Sequence, residues 1–218
     1  MSRFLFIAVA SYLLGSIPFG YLLVRIFRGE DVRQSGSGNI GATNVSRKSP
    51  LLGVLTLILD ALKGYAAVML ALFYSRSAGG NSYSLMSLAA LFAIAGHMFP
   101  VWLKFRGGKG VATSLGSFAI IAPKAVLIAA AVFLVIVLVS RYVSLGSVVA
   151  VAIFPSLVWQ LHQYGNAWPA LAFISLAALL IVLRHYGNVS RLLAGTESRF
   201  EWKGRGNHAG NTTRSKPQ

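Results

Sequence analysis

The chain has 218 residues and a net charge of +15, yet only 11% of its residues are charged, against roughly a quarter in a soluble domain. Together with 56% hydrophobic residues and a mean hydropathy of +0.66, this shortage of charge excludes an ordinary soluble protein and indicates an integral membrane protein. The absence of cysteine excludes disulfides, thiolate catalysis and cysteine-ligated metals, and no His and acid pair has the spacing of metal ligands.

Seven apolar runs follow one another along the chain, and a helix needs about 20 apolar residues to cross a bilayer. The runs are residues 4–24, 51–74, 84–103, 111–122, 125–140, 144–161 and 167–183. The first is too long for a signal peptide and lacks a convincing cleavage site, so we expect it to be retained. The run at 111–122 reaches only about 18 Å as a helix, so it either spans among its neighbours or re-enters. We therefore predict an all-α polytopic membrane protein with seven transmembrane helices.

The positions of the cationic side chains test this count, because cytoplasmic loops of membrane proteins are enriched in Lys and Arg. With seven spans, sixteen of the twenty Lys and Arg residues lie on one side, three lie on the other, and Lys63 lies inside a helix. We therefore expect the N-terminus outside and the C-terminus in the cytoplasm. Five spans, without the short run and one neighbour, would preserve this sidedness and remain an alternative. The helices form one predicted domain, residues 1–202, followed by a basic tail, 203–218, that we expect to be disordered.

The loop after the first run is rich in glycine and polar residues. Glycine lets successive backbone N–H groups turn toward an anion, hydroxyl and amide side chains add donors, and an arginine binds phosphate or carboxylate with two hydrogen bonds. A merely flexible interfacial loop has no need of these residue types at set positions. The candidates for substrate binding here are Gly36, Ser37, Gly38, Asn39, Thr43, Asn44 and Arg47.

The loop after the third run places Lys109 among Gly107, Gly108 and Gly110, just before the next apolar run. At the start of a helix, free N–H groups, the positive end of the helix dipole and an ammonium group together attract an anion. The pattern is not a Walker A loop, because a glycine follows the lysine and none precedes it at the required distance. A nucleotide triphosphatase is therefore disfavoured. Lys104 is included as a further phosphate-binding candidate, although single cations here more often mark topology.

The segment after the last run contains His185 and Asn188, which share one face if a helix begins there. A single histidine at a membrane edge is more often a structural residue than a catalytic one. Glu197, among many cations, predicts an ion pair. Asp60 and Lys63 are the only charges deep in an apolar run, and their spacing predicts a pair that either braces the bundle or has a function.

The motifs at residues 36–47, 96–113 and 184–197, with the shorter stretch 60–64, resemble the bacterial acyl-phosphate:glycerol-3-phosphate acyltransferase family in order and spacing. The resemblance extends from the first helix to about residue 201. It implies a seven-helix enzyme of the bacterial inner membrane with a cytoplasmic active site. It also implies transfer of a fatty acyl group from acyl phosphate to the 1-hydroxyl of sn-glycerol 3-phosphate, giving lysophosphatidic acid and phosphate.

The resemblance further implies roles for single residues. Ser37 and Arg47 would be critical, Lys109 and its glycines would bind phosphate, and His185 with Asn188 would hold the polyol substrate. Glu197 would be structural. We expect no cofactor, no metal and no nucleic acid, with the two substrates and membrane lipids as partners. Whether an acyl-phosphate-producing enzyme also binds cannot be read from the sequence.

Three other functions would also use features of this sequence. A transporter of phosphorylated organic anions would also use cationic, glycine-rich segments and an intramembrane charge pair, but its site is expected near the midplane. A structural lipid-binding protein would use the positive charge to hold anionic headgroups. A soluble acyl-CoA-dependent acyltransferase is disfavoured, because no histidine is followed by an aspartate at the expected spacing.

Overall fold

A computed structural model of the chain describes residues 3–77 and 82–200, and all regular elements within them are helical. The predicted tail, 203–218, lies outside the described residues. The α-helices are Arg3–Ser16 (α1), Phe19–Arg28 (α2), Ala42–Lys48 (α3), Pro50–Ser77 (α4), Ser82–Met98 (α5), Val111–Ile121 (α6), Pro123–Ser140 (α7), Val143–Gln160 (α8), Trp168–Arg184 (α9) and Tyr186–Leu193 (α10). Short 3₁₀ turns lie at Val32–Gln34 and Val101–Leu103. The prediction of an all-α fold is confirmed.

The first apolar run forms two helices instead of one. α1 ends at Ser16 and α2 begins at Phe19, because Pro18 has no N–H to continue the helical hydrogen bonds. The carbonyl of Ile17 at this break accepts hydrogen bonds from the Phe19 N–H (3.1 Å) and from Lys63 Nζ (2.8 Å). The backbone freed by the proline therefore finds partners inside the bundle, as a membrane interior requires.

Within the described residues, five segments are long and apolar enough to cross a membrane: Arg3–Arg28, Pro50–Arg76, Tyr83–Leu103, Pro123–Ser140 and Val143–Gln160. A sixth is counted if α9 and α10, which are bent by 51° relative to each other, form one span. The apolar helix α6 has only 11 residues. The chain is thus a multi-pass membrane protein with five or six candidate spans, and the predicted seven are not confirmed.

Helix α5 lies at the centre of the bundle, in contact with α1, α4 and α9, while α6 packs against α4 and α7 against α8. Small residues permit these close approaches: a Cβ on Gly116 of α6 would lie 1.9 Å from the carbonyl oxygen of Ala61. On α7, in contrast, Leu138 and Val139 are exposed. Small residues inside and large apolar ones outside are the pattern of a bundle surrounded by lipid.

A second, smaller apolar cluster lies beneath the first polar loop. It contains Val24, Val32, Ile40, Val45, Leu52 and Leu103. These residues come from α2, α3, α4, the first loop and the turn after α5. The cluster holds the first and second polar loops against the same end of the bundle.

Candidate functional site

Asn44 fixes the shape of the first polar loop. Its Nδ2 group donates to the carbonyls of Val32, Ser35 and Asn39 at 3.1, 3.0 and 2.9 Å. Its Oδ1 accepts a hydrogen bond from the Ser37 N–H at 2.9 Å. The side chain is buried and its polar atoms serve the loop itself. Asn44 is therefore an internal brace of the loop, and its predicted contact with substrate stays a prediction.

The loop also uses other predicted donors and acceptors internally. Asn39 Oδ1 accepts a hydrogen bond from the Gly41 N–H at 2.7 Å, and the Gly38 N–H donates to the carbonyl of Ser35 at 3.0 Å. Gly36 and Gly38 have φ values of +58° and +68°, a backbone conformation that favours glycine. These two glycines thus shape the loop. Some of its backbone N–H groups, which were predicted to turn toward an anion, instead have partners within the loop.

Of the polar side chains predicted as candidates in the first segment, Ser37, Thr43 and Arg47 are exposed. Ser37 lines a cleft that is described below. Arg47 approaches the same stretch of loop, since its Nη1 atom would lie 3.2 Å from a Cβ placed on Gly36. Ser37 and Arg47, predicted together from the first motif, therefore lie on one loop surface.

The second polar loop is held from both sides. The N–H groups of Gly107 and Gly108 donate to the carbonyls of Met98 and His97, each at 3.0 Å. Their own carbonyls accept hydrogen bonds from the guanidinium of Arg184, at 3.2 Å for Gly107 and 3.4 Å for Gly108. Both N–H groups thus have backbone partners in this structure, and the phosphate contacts predicted for these glycines stay a prediction.

Lys109 is the part of this loop that points to the third motif. Its Nζ donates to Asn188 Oδ1 at 2.5 Å, across 79 positions of sequence. Gly110, with φ +86°, is the N-cap of α6, and no side chain caps that helix. The first N–H groups of α6, which begins two residues after Lys109, are therefore left without a side-chain cap. The anion site predicted at this helix start stays a prediction.

The pKa of the Lys109 ammonium is lowered from its ordinary value of 10.5 to about 8, mainly by burial. The negative charge of Glu197 opposes this shift, and the positive charges of Arg191, Arg184 and Arg47 contribute to it. The influence of Arg47 places the first motif within electrostatic reach of the second. A bound anion would stabilise the protonated amine.

Glu197 connects Asn188 to α8. Its Oε1 accepts hydrogen bonds from Asn188 Nδ2 at 2.6 Å and Ser144 Oγ at 2.7 Å, and its Oε2 pairs with Arg191 Nε at 2.7 Å. Burial alone would raise the pKa of the carboxyl group, but these three hydrogen bonds lower it overall. The contacts agree with the structural role predicted for Glu197.

His185 lies at the junction of α9 and α10 and is 2% exposed. Its Nδ1 lies 2.8 Å from the carbonyl oxygen of Ile181, which can only accept a hydrogen bond, so Nδ1 carries the proton of a neutral ring. The Nε2 atom is then the free acceptor. The Asn188 N–H donates to the His185 carbonyl at 2.8 Å, so the two predicted residues are directly connected.

A cleft of about 570 Å³ lies where the three motifs meet. Ser37, Gly38 and Asn39 of the first loop, Arg106 and Gly107 of the second, and Arg184, the first residue of the third motif, are among its lining residues. The predicted site residues Arg47, Lys109, His185 and Asn188 are not among the residues that line it. Such a volume suits a small polar metabolite. Arg106 and Arg184 were not among the residues predicted from the sequence, because a single cation beside an apolar run more often marks topology.

The cleft is cationic. Arg33 on its wall is neutralised by Asp31, whose carboxylate accepts two hydrogen bonds from the guanidinium at 3.0 and 2.7 Å. Within the described residues, neither Arg106 nor Arg184 has an acidic partner within 4.0 Å. Lys104 lines a neighbouring cleft of about 500 Å³, which shares Arg33 and Arg106 with the first cleft.

The comparisons with known proteins agree with these motifs. A sequence model of the family described as glycerol-3-phosphate acyltransferase matches residues 5–195. The glycerol-3-phosphate acyltransferase of Syntrophotalea carbinolica is 47% identical over 203 residues, which cover 92% of this chain and 100% of that protein.

Two solved structures have a similar fold, and both are of PlsY (YgiH), an integral membrane glycerol 3-phosphate acyltransferase. The glycerol 3-phosphate form gives a TM-score of 0.82 at 39% identity, and the lysophosphatidic acid form gives 0.79 at 38%. Each match covers 92% of this chain and 96% of the other. The family indicated by the three motifs, and an integral membrane fold, are thereby confirmed.

Proposed function

The chain belongs to the glycerol-3-phosphate acyltransferase family, and we propose that it moves a fatty acyl group from acyl phosphate to the 1-hydroxyl of sn-glycerol 3-phosphate at the cationic cleft. The products are lysophosphatidic acid and inorganic phosphate. The observation that carries this proposal is the contact of Lys109 with Asn188, which joins two separate motifs beside a cleft lined by the first motif.

The chemistry requires little acid–base help. An acyl phosphate is a mixed anhydride, so phosphate leaves as a stable anion. The 1-hydroxyl oxygen forms a bond to the acyl carbonyl carbon, and the tetrahedral intermediate then breaks its carbon–oxygen bond to phosphate. The task of the protein is to hold two anions together against their repulsion and to align the reacting atoms. Such alignment lowers the activation free energy by about 7–11 kcal/mol, and fixed hydrogen-bond donors lower it by about 3–4 kcal/mol.

Each candidate side chain has a place in this scheme. Arg47 and Lys109 bind phosphate groups, Ser37 donates or accepts at the cleft wall, and Asn188 with His185 orients the glycerol hydroxyls. Arg184 and Arg106 add positive potential to the cleft. The hydroxyl proton goes either to Nε2 of His185 or to a substrate phosphate, and a His185→Gln variant that keeps its kcat would assign it to the phosphate.

We propose further that seven helices lie in the bacterial inner membrane, with the N-terminus outside and the cleft on the cytoplasmic side. The predicted distribution of Lys and Arg supports this orientation. The acyl chain would then reach the cleft from the bilayer, between apolar helix faces.

The transporter alternative loses its main support. Neither Asp60 nor Lys63 lines either of the two clefts. Lys63 Nζ lies 2.8 Å from Asp60 Oδ1 and donates to the Ile17 carbonyl. The charges of this pair therefore have partners inside the bundle.

The deciding experiment supplies purified protein with glycerol 3-phosphate and either acyl phosphate or acyl-CoA, and follows lysophosphatidic acid. We expect turnover with acyl phosphate only, and a loss of on the order of 10²-fold or more in kcat/KM for Arg47→Ala. Lys48→Ala is the matched control, since Lys48 is the neighbouring cation and pairs with Glu30 at 2.6 Å. Turnover with acyl-CoA alone would contradict the proposed donor.

A further inference from the structure

Three titratable side chains are buried directly beneath the glycine-rich second loop. Asp60 and Lys63 come from α4 and His97 from α5, and they are 2%, 4% and 3% exposed. Asp60 Oδ1 lies 2.8 Å from Lys63 Nζ and 3.5 Å from His97 Nδ1. We call these three residues the buried triad. The acyl-transfer scheme above makes no use of them.

One end of the triad is anchored at the break between α1 and α2. Lys63 Nζ donates to the carbonyl of Ile17 at this break at 2.8 Å and lies 5.7 Å from the centre of the Phe19 ring. The ammonium group thus caps an interrupted helix while it also holds Asp60. A buried carboxylate that faces a fixed ammonium group is itself fixed, because moving it would separate two charges at low dielectric.

The other end of the triad touches the second loop. A Cβ on Gly108 would lie 1.9 Å from His97 Nε2, so the imidazole ring packs directly against the glycine backbone. The same histidine accepts the Gly108 N–H through its carbonyl at 3.0 Å. His97 therefore holds Gly108 by its ring and by its main chain, with one ring nitrogen toward Asp60 and the other toward the loop.

The contact has a direct consequence for the site. Gly108 immediately precedes Lys109, whose ammonium reaches Asn188, and Arg184 holds the Gly108 carbonyl from the opposite side at 3.4 Å. A displacement of Gly108 would shift the lysine relative to Asn188. The position of the His97 ring, whose Nδ1 lies 3.5 Å from Asp60 Oδ1, therefore affects the phosphate-binding cation through one residue.

We propose that His97, oriented by Asp60, is a positioning residue that sets the location of Lys109 for binding of the phosphate-bearing substrate. The inference rests on the proposed function of Lys109. If His97 only braced the bundle, a substitution of His97 would lower stability without a selective loss of substrate affinity. A positioning role predicts a higher KM for glycerol 3-phosphate, with a smaller change in kcat.

The test compares His97→Asn with the wild type. The asparagine amide keeps a polar group near Asp60 but leaves the space beside Gly108 empty. We expect its KM for glycerol 3-phosphate to rise on the order of tenfold, since displacements of about 1 Å are known to cost up to a hundredfold. Ser87→Ala is the matched control, because Ser87 is buried in the same helix. It should leave KM unchanged.

A double-mutant cycle with Gly108→Ala separates positioning from folding. Alone, Gly108→Ala places a methyl group against the ring and should raise KM strongly. In the His97→Asn background the methyl group has room, so the added cost should largely vanish. Equal costs of Gly108→Ala in both backgrounds would overturn the proposal, as would a His97→Asn variant that loses thermal stability with unchanged KM.

The outcome does not depend on the acyl donor. Calorimetric titration of the same variants with glycerol 3-phosphate alone measures the affinity directly. A wild-type protein that makes no lysophosphatidic acid but binds glycerol 3-phosphate would refute the proposed reaction, and the loop test would still decide the role of His97. Equal affinities of wild type and His97→Asn would refute the positioning role alone.

Discussion

At the scale of single residues, Lys109 makes substrate binding sensitive to pH. Because burial lowers its pKa to about 8, the ammonium loses its proton as the pH rises through that value, and its attraction for phosphate is lost with it. We expect KM for glycerol 3-phosphate to be level below about pH 7 and to rise above about pH 8. Steady-state kinetics between about pH 6.5 and 9.5 measure this rise.

Lys109→Arg is the control for this prediction, because a guanidinium stays charged across the whole range. The variant will have a different KM at neutral pH, since it cannot reproduce the contact with Asn188. Its KM should nevertheless stay level as the pH increases. An equal rise in both proteins would show that another group, or the substrate, titrates.

At this site, residue types predicted which residues are candidates better than they predicted the hydrogen-bond partners of those residues. The placement of Lys109 before a helix start was predictable, because helix ends attract anions whatever the surrounding fold. The use of the Gly107 and Gly108 amides was not, since it depends on how closely the loop returns to α5. The contacts of Asn44 with the loop backbone were not predictable either, because the residue type does not show whether an amide binds its own loop or a substrate.

At the scale of elements, apolar composition located the helices closely but did not reveal their interruptions. The run at 144–161 corresponds to Val143–Gln160, and that at 167–183 corresponds to Trp168–Arg184. Length and hydropathy determine such bounds almost alone. Proline chemistry accounts for the break at Pro18. The break is stabilised inside the bundle by Lys63, a residue from another helix that donates to the Ile17 carbonyl.

The contact of α4 with α6 gives a prediction about stability. In Gly116→Ala the new methyl carbon would lie 1.9 Å from the backbone oxygen of Ala61, so the two helices must separate. We expect the free energy of unfolding to fall by about 1–3 kcal/mol. The midpoint of thermal unfolding in detergent should decrease by about 2–4 °C for each kcal/mol.

Gly187→Ala provides the comparison for this experiment. Gly187 is also helical, but the nearest atom to its added Cβ is the end of the flexible Arg191 side chain, at 3.5 Å. Its midpoint should be unchanged or slightly higher, because alanine favours the helix. If both variants unfold at the same temperature, the close approach of α4 and α6 is not a source of stability.

At the scale of the whole molecule, three motifs that are far apart in sequence meet at one end of the bundle. Ser37 and Gly107 line the same cleft, and Lys109 bonds to Asn188. The clustering of positive charge predicted that these segments share one side of the membrane. It did not determine the number of crossings, because α6 has only 11 residues and is followed after Ala122 by α7.

The number of crossings can be tested with single cysteines, since the chain has none of its own. Lys48→Cys, Arg106→Cys and Lys124→Cys all place a thiol at an exposed position. Seven crossings put residue 124 outside and the other two in the cytoplasm. A membrane-impermeant thiol reagent should then label only Lys124→Cys in intact cells and all three after permeabilisation.

Protection of Lys124→Cys would mean that α6 and α7 form a hairpin from the cytoplasmic side. Labelling of Arg106→Cys in intact cells would place the second loop outside, and with it would remove the shared cytoplasmic site.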